Sequence, residues 1–271
     1  MEPRIFRALA SYLRRENFIS DTRIKLEEKL AFFLYMVSHN ASDEDLQLEF
    51  QHSGQTFHEY INEFFNIVPV LASRFLKPPN IDEPHPNIFT DTRFYPYFQN
   101  CLGAIYGSHV PITATPGIAA PFRNRKGTLS HNIMAACDFD LRFTFISCGR
   151  EGSATDARVL HSAMSKGFRV PERKFYLVDG GYANTQSFLT PYQGVQYHLK
   201  EFGHGHPRPQ NHRELFNHRH AVLWNHVERS LGILKKALPN SSCWYTAFNR
   251  EPSETSRSCR SSSQYHQNGE W

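Results

Sequence analysis

Long apolar runs are missing from this chain. The longest near the N-terminus, Leu30 to Val37, is far shorter than the roughly 18 residues a membrane helix needs. No cleavable signal precedes it, so no membrane association is expected. Cysteine is scarce as well. The five present, Cys101, Cys137, Cys148, Cys243 and Cys259, are an odd number with no C-x-x-C spacing, and three lie in apolar runs. They read as reduced packing residues of an intracellular protein. No Walker motif, nucleophile elbow or G-x-G-x-x-G is found, which removes a nucleotide cofactor and acyl transfer from the candidate chemistries. Between Ser42 and Glu63 there is no Lys or Arg against six acids, so a polyanion would not bind there.

Core material, by contrast, is ample. Apolar residues make up 40% of the 271, with 22 Phe among them, enough for one catalytic-size domain and a small helical one. Positive charge collects at Arg123-Asn124-Arg125-Lys126 and in the stretch holding Arg208, Arg213, Arg219, Arg229, Lys235 and Lys236, so a polyanion would meet the second half of the chain.

The first 79 residues read as helical. Ser20 or Asp21 can cap a helix whose apolar positions Leu30, Phe33, Leu34 and Val37 recur at helical spacing and which Asn40 ends. A short helix follows from Ser42, with Asp45 as capping-box partner and Leu46 and Phe50 on one face. After a turn at His52-Ser53-Gly54, a third helix carries Tyr60, Ile61, Phe64, Phe65 and Val68 up to Pro69. The outline is that of a helix-turn-helix, but the candidate reading segment Gln55 to Asn66 has two acids and no basic residue. A packing or partner-binding bundle is the preferred reading. A Pro-rich linker, 80–94, separates this bundle from the rest of the chain.

From Tyr97 the pattern turns to strands: Cys101 to Val110, Asn132 to Phe139, then Leu141 to Phe145, the last two forming a hairpin through Asp138-Phe139-Asp140. Asp156 to Met164 reads as a helix with its carboxylate at the favoured end. Phe175 to Val178 reads as a strand buried on both faces, stopping at Asp179 and two glycines. Asp179 is there either the reactive acid at a strand's carboxyl end or the cap of the turn. A fifth strand is expected at Val195 to Leu199. A long helix from His212 to Leu238 would carry the stripe Leu223, Val227, Leu231, Leu234, Leu238, with Glu228 at its edge.

The blocks YFQNCLGAIYGSHVPI, FRNRKGTLSHNIMAACDFD, REGSATDARVL, KFYLVDGGYAN, VQYHLKEF, RPQNHRELFNHRH and HVERSLGILKK resemble, in order and spacing, the nuclease domain of Harbinger-type DDE transposases and the nucleases derived from them. The resemblance covers 95–239, and Ala31 to Phe65 also resembles the family's N-terminal helical segment. It implies an α/β fold with a ribonuclease H-like mixed sheet flanked by helices. It implies too a divalent metal cation (Mg²⁺ or Mn²⁺), DNA as partner with scope for a separate DNA-binding accessory protein, and action in the nucleus or cytoplasm. Two cations clamp the attacking and leaving oxygens of a phosphodiester, and carboxylates are the hard ligands they prefer. By position, the second acid and the glutamate of the family are Asp179 and Glu228. The first acid should fall within Gly103-Ala104-Ile105-Tyr106-Gly107, and this chain has Tyr106.

A phenol is neutral at pH 7 and a poor Mg²⁺ ligand, so cleavage is expected to be weakened or lost, and a catalytically dead DNA- or partner-binding remnant stays open beside the enzyme. Among other acids, Glu151 and Asp156 lie past the third strand on the correct side of the sheet. Asp156 is a metal-ligand candidate whose plainer role is a helix-terminus acid. Asp138 and Asp140 fall at the opposite end and read as structural. Arg123, Arg125 and Lys126 are candidates for the DNA backbone, or else a solvated loop. Seven histidines crowd into His198, His204, His206, His212, His218, His220 and His226, but no cysteine accompanies them and they fall on different faces, against a zinc site. Residues 240–271 are polar and aperiodic and read as disorder. Because the family continues with helical core, this tail suggests a truncated or mispredicted sequence, leaving part of the long helix uncovered and the domain destabilised.

Overall fold

The computed structural model describes residues 1–112, 117, 119–195 and 209–237. The chain divides into two compact units, Met1–Phe75 with Lys236–Trp271, and Leu76–Lys235.

In the first unit the helices are α1 (Pro3–Arg15), α2 (Leu26–His39), α3 (Asp43–Phe50) and α4 (Gly54–Phe75). Helix α2 begins where the Asp21 carboxylate accepts the Leu26 N–H at 2.8 Å, and it ends on Asn40 in the left-handed conformation, as its sequence suggests. The capping box of α3 is present: Ser42 and Asp45 exchange side-chain and backbone hydrogen bonds. Two departures concern the other helices. Helix α1 was not among the expected elements. Helix α4 does not stop at Pro69 but runs through it to Phe75, because burial of Phe57, Ile61, Phe64, Phe65, Ile67 and Val70 outweighs the hydrogen bond a proline forfeits. The core of this unit is largely aromatic, with Phe32 edge-on to Phe50 and Phe57 and Phe33 stacked on Phe64. It also holds the buried Lys29, whose ammonium donates to the Ser20 carbonyl at 3.0 Å and lies 4.0 Å from the Tyr60 ring centroid.

The second unit is built on a mixed sheet of order β3-β2-β1-β4-β5, from β1 (Cys101–Pro111), β2 (Ser130–Cys137), β3 (Phe143–Glu151), β4 (Phe175–Leu177) and β5 (Phe188–Leu189). Helices α5 (Pro86–Phe89), α6 (Asp156–Ser165) and α7 (His212–Ala237) accompany it. It is an α/β fold with helices flanking the sheet, the ribonuclease H-like arrangement that the resemblance implies. The fifth strand among the described residues is Phe188–Leu189; the strand expected at Val195 to Leu199 lies, apart from Val195, outside the described residues, as do Leu238 and the 240–271 tail.

Helices cover both faces of the sheet. Leu102, Ile105, Met134, Tyr176 and Val178 pack with Val159 and Ala163 of α6, while Ala104, Cys137 and Leu177 pack with Leu223 and Val227 of α7. Strict alternation along β1 would send Leu102 and Ala104 to the same face. A register shift between Cys101 and Gly103 breaks the alternation, as a bulge does. Only glycine fits there. Gly103 has φ 151°, and a Cβ on it would stand 1.9 Å from the Cys137 carbonyl oxygen. Past this bulge, Ala104 faces α7, Ile105 faces α6, and the alternation sends Tyr106 to the α7 side.

Candidate active site

Strands β1 and β4 are parallel, with Ala104 opposite Leu177. Continuing that register by two residues sets Asp179 beside Tyr106 at the carboxyl edge of the sheet, where α/β proteins bind ligands. Strand β3 runs antiparallel to β2, which runs antiparallel to β1, so α6 starts at this same edge, with Thr155 as its N-cap and Asp156 in its first turn.

On the α7 side, the Tyr106 ring lies 5.7 Å from that of Trp224, tilted by 34°. Glu228, one helical turn beyond Trp224, shares its face of α7. The half-buried Tyr106 phenol is pushed above its ordinary pKa, first by burial and then by the charges of Glu228 and Asp179. Tyr106, Asp179 and Glu228 therefore share one electrostatic neighbourhood.

The α6 side holds the acid pair. A Cβ built on Gly181 would stand 2.8 Å from Asp156 Oδ2 and 3.2 Å from Asp179 Oδ1, so one oxygen of each carboxylate borders the space that a side chain at 181 would fill. Asp179 Oδ1 accepts the Gly181 N–H at 2.9 Å. Burial is the main cause holding the Asp179 carboxyl above its ordinary range, and the Asp156 charge adds to it. Gly107 leaves a second gap on this side, where a Cβ would meet Asp156 Oδ1 at 3.5 Å and the Tyr182 hydroxyl at 3.6 Å. That hydroxyl is buried and has no hydrogen-bond partner among the described protein groups. Its pKa is raised by burial and by the charges of Asp156 and Asp179.

The sequence singled out Asp156, Asp179, Glu228 and Tyr106. It passed over Tyr182 and Trp224, although Tyr182 stands three residues after Asp179 in the same block, and it read Gly181 only as part of the turn after the strand.

These residues fit a divalent cation on the α6 side: two hard carboxylates face a space kept free by glycine, with an unpaired hydroxyl beside them. Tyr106 offers no such ligand. The three acids are not drawn into one tight cluster. Among the described residues the group of metal-capable side chains whose ligand atoms all lie within 4.8 Å of one another is His85, Asp138 and Asp140. That acidic cluster has donors suited to a cation, but it sits past the end of β2, at the opposite edge of the sheet. Its members also serve the hairpin. Asp138 Oδ1 accepts the N–H groups of Asp140 and Arg142, both at 2.9 Å, and His85 Nδ1 accepts the Asn87 N–H at 3.2 Å.

Arg123, Arg125 and Lys126 lie on an exposed turn closed by the bridge between Arg123 and Leu129. Arg123 donates to the Gly127 carbonyl of that turn at 2.8 Å. Arg125 and Lys126 line a cavity of about 390 Å³ that also reaches His109, Ser130 and Asp156. Of the clustered histidines, His198, His204 and His206 lie outside the described residues. His220 is fully buried beside the Leu189 carbonyl, 3.0 Å from its Nε2, and burial lowers its pKa to about 4. Cys101, Cys137 and Cys148 are free and buried, while Cys243 and Cys259 lie outside the described residues.

Two family models match the chain. One described as DDE superfamily endonuclease covers residues 105–242, and one described as a domain of unknown function (DUF8040) covers residues 1–70. No curated protein matches significantly, and no solved structure does. No helix among the described residues is long and apolar enough to cross a membrane.

Proposed function

The chain belongs to the DDE superfamily of endonucleases, and from that premise we propose that it is a transposase-derived nuclease. It hydrolyses DNA phosphodiester bonds with divalent cations, Mg²⁺ or Mn²⁺, and its activity is weakened by Tyr106. Asp179, Glu228 and Asp156 would hold the metal. Arg123, Arg125 and Lys126 would contact the DNA backbone, with the cavity from Arg125 to Asp156 as the approach. The chain divides into a helical domain over 1–79, a linker over 80–94 and a nuclease domain over 95–239, and it acts in the nucleus or the cytoplasm. The observation that carries this reading is the convergence of Tyr106, Asp179 and Glu228, three residues distant in sequence, on one edge of the sheet. Bound cations would supply Lewis-acid stabilisation of the charge developing on the phosphate.

A second reading is favoured by the phenol itself. A neutral side chain with a raised pKa beside two carboxylates brings neither a ligand nor a negative charge, and a remnant that binds DNA or a protein partner without cutting would look the same. An accessory protein would then supply sequence recognition.

Supercoiled plasmid incubated with the full chain and Mn²⁺ separates the two. The protein as it stands is expected to nick slowly or not at all. Tyr106→Asp should raise the rate by about a hundredfold, on the order of one removed electrostatic group in an active site, and Asp179→Asn in that background should abolish it. An inert Tyr106→Asp protein that still retains DNA in a salt-dependent manner establishes the remnant. Rapid nicking by the unaltered chain, lost in Asp179→Asn, would disprove the weakening assigned to Tyr106.

A further inference from the structure

Three of the buried polar atoms without a hydrogen-bond partner, Ser108 Oγ, Tyr182 Oη and Trp224 Nε1, belong to or surround the 106–108 stretch of β1. Ser108 is in the strand, the Trp224 ring packs near that of Tyr106, and the Tyr182 hydroxyl lies 3.6 Å from where a Gly107 Cβ would be. A buried donor left unpaired is normally removed by selection or satisfied by a ligand. Trp224 and Ser108 face the α7 side, where Tyr106 has replaced an acid. Tyr182 faces the α6 side, near Asp156.

Of the three, Tyr182 has the most informative surroundings. The ring is anchored in the core with Ile105, Val159 and Val178 and is 5% exposed, so the hydroxyl cannot swing out to solvent. It shares the Gly107 gap with Asp156 Oδ1, and the other oxygen of Asp156 and Asp179 Oδ1 both border the space beside Gly181. A tyrosine hydroxyl held beside two carboxylates can donate to one of them or share a hydrogen bond with a water beside them. The absence of a direct hydrogen bond to either carboxylate, with both gaps kept open by glycine, favours the water.

We propose that Tyr182 is a positioning residue of the site: its hydroxyl accepts a hydrogen bond from a water of a divalent cation held beside Asp156 and Asp179. This rests on the nuclease reading for the presence of a cation, and adds to it a residue that touches neither metal nor phosphate. The water acquires a fixed orientation without a further negative charge. Groups of this outer kind tune metal affinity by about 10–100-fold. The cavity that runs from Asp156 to Arg125 and Lys126 gives hydrated ions a route in.

The test uses Mn²⁺ alone with the full chain, read by the loss of the free-ion electron paramagnetic resonance signal and by calorimetry. Tyr182→Phe is expected to weaken Mn²⁺ binding roughly tenfold, and Asp156→Asn to remove it. Melting without metal supplies the control. Deleting an unpaired buried hydroxyl while keeping the ring leaves the apo melting temperature equal or higher, so a loss of Mn²⁺ affinity in Tyr182→Phe cannot come from unfolding, and a tyrosine needed only for packing would leave that affinity unchanged. Equal Mn²⁺ affinity in Tyr182→Phe overturns the proposal, as does a chain that binds no Mn²⁺. If Tyr106→Asp nicks plasmid while Tyr182→Phe binds Mn²⁺ normally, this inference fails and the nuclease reading stands. If Mn²⁺ binding depends on Tyr182 but no version nicks, the nuclease reading fails and this one stands.

Discussion

At the scale of single residues, the candidate site is shaped as much by missing side chains as by those present. Gly181 and Gly107 admit the carboxylates of Asp156 and Asp179 and the Tyr182 hydroxyl to one small region. Gly103, farther down β1, has a different task. Its substituent would strike backbone at 1.9 Å, whereas at Gly181 the atom met is a carboxylate oxygen that can swing aside. A methyl at position 181 should therefore leave the fold intact and displace the Asp156 carboxylate. Gly181→Ala is expected to keep its apo melting temperature within a degree or two and to lose at least about tenfold in Mn²⁺ affinity, equivalent to about 1.4 kcal/mol. Calorimetry beside a melting curve checks both, and unchanged affinity would show that the gap is not used. The place of Asp179 was legible in the sequence, because an apolar strand ending in an acid and two glycines marks a turn at a strand's carboxyl end; its Oδ1 does accept the Gly181 N–H of that turn, and the same pattern suits a reactive acid equally well. Tyr106 stood out only against the family's block. Tyr182 left no trace, since a hydroxyl buried without a partner is a property of packing and not of spacing.

Among the secondary-structure elements, local chemistry was a good guide wherever it acts within a few residues. The Ser42–Asp45 capping box, the left-handed stop at Asn40 and the turn from Asp138 to Arg142 are all present, because each is decided by hydrogen bonds to neighbouring backbone. Tertiary packing overruled local rules elsewhere. Helix α1 carries Ala10 and Leu13 into the core with Phe6 and Leu9 beside them, a helical spacing masked by four arginines in thirteen residues. Strand β5 is two residues long, too short to show alternation. The face on which Tyr106 lies depends on the Gly103 bulge, which no periodicity announces. Pro69 is the plainest case, a helix breaker inside a 22-residue helix. It removes one intrahelical bond and crowds the preceding turn, so Pro69→Ala should stabilise the helical unit by about 1 kcal/mol or more. Urea denaturation of the full chain followed by far-ultraviolet circular dichroism measures this. A fall in stability would mean that the proline ring contributes packing worth more than the bond it deletes.

Taken over the whole molecule, charge is distributed in a way that bears on where DNA can lie. Met1–Phe75 holds eight Lys and Arg against eleven Asp and Glu, although the chain as a whole is at +4. Its positive charge is in part committed: Arg14 is bonded to both Asp21 and Glu27, and Arg74 to Glu16 and Tyr12. In the other unit Arg125 and Lys126 are exposed and share a cavity with Asp156, so backbone contacts made there would place a phosphodiester near the acids. Each cation engaged with phosphate releases about one counterion, and log K against log salt steepens by about 0.9 per contact. Replacing Arg125 and Lys126 together by Ala should reduce the magnitude of that slope by about 2 and weaken retention of every sequence alike, because phosphate contacts carry no sequence information. Replacing Arg4 and Arg7 of α1 should leave the slope unchanged. Fluorescence anisotropy of a labelled duplex over a salt series, with Ca²⁺ in place of Mn²⁺ to suppress cleavage, reads both. If the α1 pair changed the slope and the 125–126 pair did not, DNA would have to approach by the helical unit, and the cavity beside Asp156 would lose its part in the reaction.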